Sequence, residues 1–242
     1  MIARDPRAET EPPVDTPSVQ AGIGLIVTLM AIGLLLWGFA ALAEGFSEKG
    51  RVAQMDLAVL DWLQLHGTEG GERAFLFVSW LGAPVLVAVE VAVAIWLAAR
   101  RMWRWFALWI IATVGGVLLD QMLKLAFRRA RPPVASEFIT SSSSWSFPSG
   151  HAMNSLVGYA MLAFLLREHL GSAPARIAVT LGAVLLIVAI GFSRLYLGVH
   201  YVSDVAAGYL VGSAWVLACV TAERFAMRRA HGRKPGLTRL SA

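Results

Sequence analysis

Three short clusters hold the residues whose types and spacing are suited to chemistry. The first, KLAFRRARP, begins at Lys124; the second, PSGH, ends at His151; the third, SRLYLGVHYVSD, ends at Asp204. Together they contain imidazoles, guanidinium groups, an amine and a carboxylate, which bind anions and transfer protons. The clusters therefore predict a site that handles a negatively charged group.

The cationic side chains of these clusters indicate that the anion is a phosphate. Lys124, Arg131 and Arg194 supply three positive charges, against the single carboxylate of Asp204. A guanidinium fork matches two phosphate oxygens and a lysine adds a point charge, whereas the same charges would repel a divalent metal. We therefore expect a phosphate ligand, no metal and no cofactor.

The PSGH cluster stands directly before a long apolar run, where a helix is predicted to begin. The backbone N–H groups of Ser149 and Gly150 can then point at an anion, and the helix dipole favours negative charge there. Glycine also lets the backbone approach closely, because it has no Cβ. The expected phosphate-binding residues are Lys124, Arg131, Ser149, Gly150 and Arg194.

The two histidines of the clusters have different roles available to them. His200 and Asp204 are four positions apart, which puts them on one helical face if a helix begins early enough. A carboxylate on one ring nitrogen fixes the tautomer and leaves the other nitrogen as a nucleophile. His151 lies beside the phosphate site and can donate a proton to a leaving oxygen. The expected catalytic residues are His200, His151 and Asp204.

Membrane helices are the elements predicted to position these clusters. The 242 residues are 57% hydrophobic and only 15% charged, with a mean hydropathy of +0.63, whereas soluble domains carry about 25% charged residues. A bilayer core about 30 Å thick needs about 20 apolar residues per helix. Six segments meet that length: 21–44, 74–99, 103–127, 151–170, 174–195 and 204–227. The predicted fold is an all-α, six-transmembrane-helix bundle over residues 21–228.

The segments outside the predicted spans are more polar. Residues 1–20 are proline-rich with mixed charge and are predicted to form a disordered cytoplasmic tail, and residues 229–242 a basic cytoplasmic tail. The connector between the first two spans predicts an amphipathic helix lying in the membrane interface. Its apolar residues recur at helical intervals: Val52, Met55, Val59, Trp62 and Leu63.

The distribution of basic residues predicts the orientation. Thirteen of the 21 lysines and arginines fall on the side of the amino terminus, so the positive-inside rule places both termini in the cytoplasm. Consecutive spans alternate in direction, which brings the three clusters to the opposite face, towards the periplasm or exterior of a cell (inner) membrane. The net charge is +5, but the basic residues are not interleaved with aromatic residues on one soluble face. Nucleic acid is therefore not an expected partner.

Read as K-x6-RP, PSGH and SR-x5-H-x3-D, the clusters resemble in order and separation the three signature motifs of the type 2 phosphatidic acid phosphatase (PAP2) family. The resemblance covers residues 124–204. It implies a metal-independent membrane phosphatase that acts through a phosphohistidine on His200, with His151 as general acid and Asp204 orienting His200. It assigns to the phosphate Lys124, Arg131, Ser149, Gly150, His151 and Arg194.

Two classes of function remain open from the sequence: a lipid phosphatase, and a lipid-phosphate binder or transporter without catalysis. A binder needs neither His151 nor Asp204, so their presence favours the enzyme. The cations favour a small, highly charged head group, which makes undecaprenyl diphosphate the expected substrate. Phosphatidylglycerophosphate and phosphatidate are the alternatives.

Further polar residues accompany the clusters. Asp120 lies one helical turn before Lys124 and is expected to be its counter-ion. Glu90, in the middle of the apolar run VAVEVAVA, must face the bundle and is expected to serve structure. Arg128 and Arg129 are expected at the interface or on lipid head groups. The single cysteine, Cys219, is expected to be a buried, inert thiol.

Overall fold

The computed structural model describes residues 16–45, 50–133 and 145–232. All regular structure in these ranges is helical, so the prediction of an all-α membrane bundle is confirmed. The helices are α1 (Thr16–Gly45), α2 (Arg51–His66), α3 (Glu69–Leu81), α4 (Pro84–Ala99), α5 (Trp103–Phe127), α6 (Gly150–His169), α7 (Ala173–Tyr196) and α8 (Val202–Gly232).

Five of the six predicted spans correspond to helical segments that are long and apolar enough to cross a membrane: Gly22–Gly45, Glu69–Ala99, Trp103–Phe127, Ala173–Tyr196 and Val202–Met227. The remaining predicted span is present as α6, but α6 is less apolar. It packs against α5, α7 and α8 and buries half of its residues, including Ser155. A helix surrounded by protein needs less hydrophobicity than one that faces lipid, which is why composition alone does not establish a count of six.

The second predicted span, 74–99, is divided into two helices. Gly82 ends α3, where its N–H donates to the Ser79 carbonyl at 3.0 Å, and Pro84 begins α4. Proline has no N–H to continue the hydrogen-bond ladder of α3, and its fixed φ suits a helix start. A Cβ on Gly82 would overlap the Ile190 side chain of α7. The break therefore brings the chain close to α7 and to the start of α6.

The connector helix α2 is present, and part of its surface packs against the protein. Asp56, Leu60 and Leu63 are buried, whereas Met55 and Trp62 are 65% and 58% exposed. The protein-facing side of α2 contacts α7 and α8, and Asp56 stands in the middle of it. The exposed residues of the predicted apolar stripe can face the membrane interface, and the prediction did not include the buried carboxylate of Asp56 on the protein-facing side.

The outer helices extend beyond the predicted spans. α1 begins at Thr16, so residues 16–20 are helical where a disordered tail was predicted, and α8 continues to Gly232. Residues 1–15 and 233–242, on which the rest of both tail predictions falls, lie outside the described residues. Cys219 is buried against α5 and α6, as predicted.

Candidate active site

A cavity of about 550 Å³ opens between α4, α5, α6 and the segment that joins α7 to α8. It brings together residues from all three sequence clusters. Six of the eight predicted site residues line it: Lys124, Arg131, Gly150, His151, Arg194 and His200. The other two, Ser149 and Asp204, are fully buried behind this lining.

His200 stands at the end of the short turn between α7 and α8 and is 2% exposed. Its Nδ1 lies 3.3 Å from Asp204 Oδ2, and its Nε2 lies 3.2 Å from Arg131 Nη1. Burial lowers the pKa of His200 to about 4 and outweighs Asp204, which raises it. The imidazole is therefore neutral near pH 7. With Nδ1–H donating to the carboxylate, the Nε2 lone pair is directed towards Arg131 and the cavity.

The Asp204 carboxylate behind His200 is saturated with hydrogen bonds. Oδ1 accepts from Arg129 Nη1 at 2.6 Å. Oδ2 accepts from the Tyr201 N–H at 2.9 Å, from the Ser146 hydroxyl and from His200. A carboxylate held by four donors stays ionised and has no freedom to rotate, so it fixes the orientation of the imidazole.

Arg129 differs from its prediction, because it lies inside the protein instead of at the interface. Its guanidinium group joins Asp204 to Asp56 of α2, with Nη2 2.7 Å from Asp56 Oδ2, and stacks over the Tyr201 ring at 4.2 Å. Ser203 completes the cluster: its N–H donates to Asp56 Oδ1 at 2.9 Å. Arg128 does remain exposed, at the carboxyl end of α5.

Asp56 and Ser203 are site residues that the sequence analysis missed. A signal existed for Asp56, since it occupies a helical position among Val52, Val59 and Leu63 on an otherwise apolar stripe. A charge in the middle of such a stripe needs a buried partner. For Ser203 the sequence contains no comparable signal, since it is one of many serines.

The start of α6 is shaped around an ion pair. Lys124 Nζ lies 2.7 Å from Asp120 Oδ2, which confirms the predicted counter-ion. A Cβ on Gly150 would lie 2.7 Å from that Nζ and 2.8 Å from that oxygen, so a larger residue would displace the ion pair. The first N–H groups of a helix have no partner within it, and those at Gly150 and His151 adjoin the cavity.

Ser149 contributes differently from its prediction. Its backbone N–H donates to the Asp204 carbonyl oxygen at 2.9 Å, so this N–H is not free to bind an anion. The contact ties the start of α6 to the first turn of α8. The Ser149 hydroxyl is buried and has no hydrogen-bond partner within the described residues, which leaves the side chain as the group able to bind.

The two arginines that line the cavity each donate a hydrogen bond to a neutral group. Arg131 Nη1 donates to the Val199 carbonyl at 2.9 Å, and Arg194 Nη1 donates to the Ser79 hydroxyl of α3. Burial lowers the pKa of Arg131, opposed by the charges of Asp204 and Asp120, and an arginine stays protonated under such conditions. Both guanidinium groups therefore bring positive charge to the cavity.

The cavity contains more acidic groups than the sequence analysis predicted, which counted three cations against the single carboxylate of Asp204. Asp120 and Glu90 line it beside the three cations, whereas Asp204 stands outside the lining. Lys124 is paired with Asp120, and Arg131 and Arg194 add two further positive charges at the cavity. Across residues 16–45, 50–133 and 145–232, no group of three or more His, Cys, Asp or Glu side chains has an arrangement that could hold a metal ion.

Buried polar atoms without a partner concentrate at this cavity. The described residues contain five such side-chain atoms, and four belong to residues on or directly behind the cavity wall: Asp120 Oδ1, Ser149 Oγ, Asn154 Oδ1 and Arg194 Nε. Since buried polar groups are normally hydrogen-bonded, a concentration of unsatisfied ones is a place where a ligand or water can bind. The arrangement can hold an oxyanion next to an oriented, neutral imidazole.

Comparisons with known proteins agree with this arrangement. A family model described as the PAP2 superfamily matches residues 103–228. A phosphatidylglycerophosphatase B of Bacillus subtilis (strain 168) is 39% identical over 97 residues, which are 39% of this chain and 46% of the relative. The chain thus matches less than half of that relative's length.

A solved structure is similar over more of the chain. It is the crystal structure of a transmembrane PAP2-type phosphatidylglycerolphosphate phosphatase from Bacillus subtilis, at a TM-score of 0.73 and 27% identity. The alignment covers 80% of this chain and 96% of the other. The likeness therefore includes the membrane helices in front of the three clusters.

Proposed function

The chain belongs to the PAP2 superfamily, and from this premise we propose that it is a metal-independent membrane lipid phosphatase that acts through a phosphohistidine on His200. The observation that supports this most is the placement of His200 between two environments. Asp204 holds Nδ1 from behind, and Nε2 lies beside Arg131 at the cavity. A binder or transporter would need the cations but not an oriented, neutral imidazole.

In the first step, the phosphate binds at the start of α6 against Lys124, Arg131 and Arg194. His200 Nε2 attacks phosphorus, a P–N bond forms and the P–O bond to the lipid breaks. His151 gives its proton to the leaving oxygen. Burial, and after it the charge of the neighbouring cations, disfavours a protonated His151. A bound phosphate counters both effects with its negative charge, so the proton is available when substrate is present.

In the second step, water attacks the phosphohistidine. His151 accepts a proton from that water, the P–N bond breaks and inorganic phosphate leaves with the oxygen of water attached. His200 returns to its neutral state. Asp204 stays ionised throughout and stabilises the imidazole while it carries the phosphoryl group.

We propose phosphatidylglycerophosphate as the substrate, ahead of undecaprenyl diphosphate and phosphatidate. Both relatives described above are named for phosphatidylglycerophosphate. The carboxyl group of Glu90 in the cavity wall also weakens the reason for expecting a diphosphate, because a second phosphate attached directly to the first would meet this acidic group.

The orientation of the protein in the membrane is part of the proposal. Both termini are cytoplasmic and the cavity faces the periplasm or exterior, as the distribution of lysine and arginine indicates. Glu69 begins α3 next to Thr68, which contacts Tyr196 at the cavity end of α7. A Glu69→Cys change in a Cys219→Ser background should react with a membrane-impermeant thiol reagent in intact cells. Reaction only after permeabilisation would mean the opposite orientation.

Release of phosphate by the purified protein in detergent tests the function. Phosphatidylglycerophosphate, undecaprenyl diphosphate, phosphatidate and a soluble phosphate ester are compared by kcat/KM, with and without EDTA and vanadate. We expect the highest value for phosphatidylglycerophosphate, no loss with EDTA and inhibition by vanadate, which mimics the five-coordinate phosphorus. Binding of these lipids without phosphate release would instead identify a lipid-phosphate binder.

A further inference from the structure

Glu90 is a carboxylic side chain that the proposed reaction does not use. It lies in the middle of α4, faces the bundle as predicted and lines the active-site cavity. Within the described part of the chain its carboxyl group makes no hydrogen bond or ion pair, whereas its backbone carbonyl accepts from the Trp109 indole N–H at 3.1 Å. An acidic group in an apolar membrane helix is energetically costly and indicates a function unless it is paired. A structural role for Glu90 would require such a partner, and none is present among the described residues.

The contacts between α4 and α6 show where Glu90 lies relative to the reacting groups. A Cβ on Gly82, just before α4, would lie 3.3 Å from His151 Cδ2. A Cβ on Gly158 would lie 2.8 Å from Glu90 Oε1. Residues 151 and 158 are two turns apart on α6, a rise of about 10 Å. Glu90 therefore stands two turns further into the bundle than His151, and glycine at position 158 leaves room for its carboxyl group.

Asn154 lies between these two levels. It is one turn after His151, lines the same cavity, and its Oδ1 is buried without a hydrogen-bond partner in the described ranges. Carboxylate oxygens and an amide oxygen are acceptors, so a ligand group that satisfies them must donate. A phosphate monoester near pH 7 is mostly doubly ionised and then only accepts hydrogen bonds, and a hydrocarbon chain has no donor. A hydroxyl group can donate to them.

We propose that Glu90 and Asn154 form a second subsite of the cavity, which accepts hydrogen bonds from hydroxyl groups of the lipid head group next to the scissile phosphate. The inference rests on the proposed phosphatase function and narrows its substrate class. A lipid lying with its phosphate at His200 and its chains deeper in the bilayer presents its glycerol at the level of Asn154 and Glu90. A polyprenyl diphosphate presents a second phosphate and then hydrocarbon at that level, so it gains nothing from the subsite.

The test compares phosphatidylglycerophosphate with its analogue in which hydrogen replaces the free hydroxyl of the terminal glycerol. The readout is the ratio of kcat/KM for the two lipids in the same detergent. For the unaltered protein we expect a ratio of about 10 or more in favour of the hydroxyl, the effect of a hydrogen bond to a charged group. In Glu90→Leu the ratio should approach 1, and in Glu90→Gln, which keeps an acceptor oxygen, it should remain between the two.

The matched control is Val91→Leu, one position along α4 and 52% exposed on its outer side, which should keep the ratio of the unaltered protein. A ratio near 1 in the unaltered protein, or an equal loss on both lipids in Glu90→Leu, would overturn the subsite and leave the phosphatase function standing. Absence of phosphate release from every lipid by the unaltered protein would overturn the proposed function, and the subsite with it.

Discussion

The two sides of the His200 imidazole differ in how completely their polar atoms are hydrogen-bonded. Behind the ring, the Asp204 carboxylate accepts from Arg129, Tyr201 and Ser146 as well as from His200. On the cavity side, buried atoms of three cavity residues, and of Ser149 directly behind the cavity wall, have no partner in the described structure. A saturated network is rigid and positions a group, whereas unsatisfied atoms are available to a ligand.

The hydrogen-bonded side of the ring therefore positions His200, whereas the unsatisfied side is available to bind the substrate. Substitutions behind the ring should lower stability and kcat, because they disturb a buried network of charges. Substitutions in front of it should weaken binding with little loss of stability, because those atoms contribute no internal hydrogen bond. The predictions below, in decreasing order of expected effect, test whether the two sides can be separated in this way.

The largest effect is expected for His200, which belongs to both sides. His200→Ala should lower kcat by at least about 10⁴-fold, since no other described group stands beside both the cations and an orienting carboxylate. This variant should still bind vanadate, because the cations remain. The binding is measured as an increase in melting temperature when vanadate is added. Near-native turnover in this variant would contradict covalent catalysis by His200.

His151 should matter according to the leaving group. His151→Ala should lower kcat by about 10²- to 10⁴-fold on a lipid phosphate, whose alkoxide needs a proton as it departs. On an ester of an acidic phenol the loss should be much smaller, because that oxygen leaves without a proton. Parallel kinetics on the two esters measure this, and an equal loss on both would mean that His151 binds phosphate and does not act as an acid.

A substitution of Asp56 tests the hydrogen-bonded network behind His200 at a residue that does not line the cavity. Asp56→Asn leaves Arg129 with one carboxylate in place of two. We expect kcat to fall by about 10-fold and the melting temperature to drop, with KM nearly unchanged, since loss of a buried ionic partner destabilises strongly. The control is Asp61→Asn on the exposed face of the same helix. A rise in KM with unchanged kcat would show that Asp56 acts on binding.

Ser149 tests the unsatisfied side and should give the smallest effect. Ser149→Ala removes a buried hydroxyl that has no internal partner. We expect KM to rise by about 10-fold, the loss of one hydrogen bond to a charged ligand. The melting temperature without ligand should stay equal or increase, opposite to Asp56→Asn. A lower melting temperature together with unchanged KM would remove the distinction between the two sides.

The parts of the site that could be predicted from the sequence are those whose chemistry is local. Gly150 and His151 stand together at a predicted helix start, and Asp120 precedes Lys124 by one turn, so short-range spacing was sufficient. The break in the second span had a readable signal too, in the sequence Leu-Gly-Ala-Pro that ends at Pro84. Its effect on the cavity depended on contact with α7, which spacing does not reveal.

The buried network behind His200 was beyond prediction for a different reason. Arg129 and Asp56 are 73 positions apart, and their pairing depends on how α2 docks against α8. The position of Asp56 in an apolar stripe indicated that it needs a buried partner, but nothing in the sequence identified that partner as Arg129. Ser149 shows a subtler limit, because the sequence placed its N–H correctly at the helix start but could not show that the Asp204 carbonyl already occupies it.

Direct detection of the phosphoenzyme tests the central claim that His200 is held as a nucleophile. The purified protein is mixed with lipid substrate radiolabelled in its terminal phosphate, quenched with base within one turnover, digested and mapped. The result expected here is an acid-labile, base-stable label on the peptide that contains His200, formed with burst kinetics and absent from His200→Ala. Steady release of phosphate without label on this peptide, or label on His151, would contradict it.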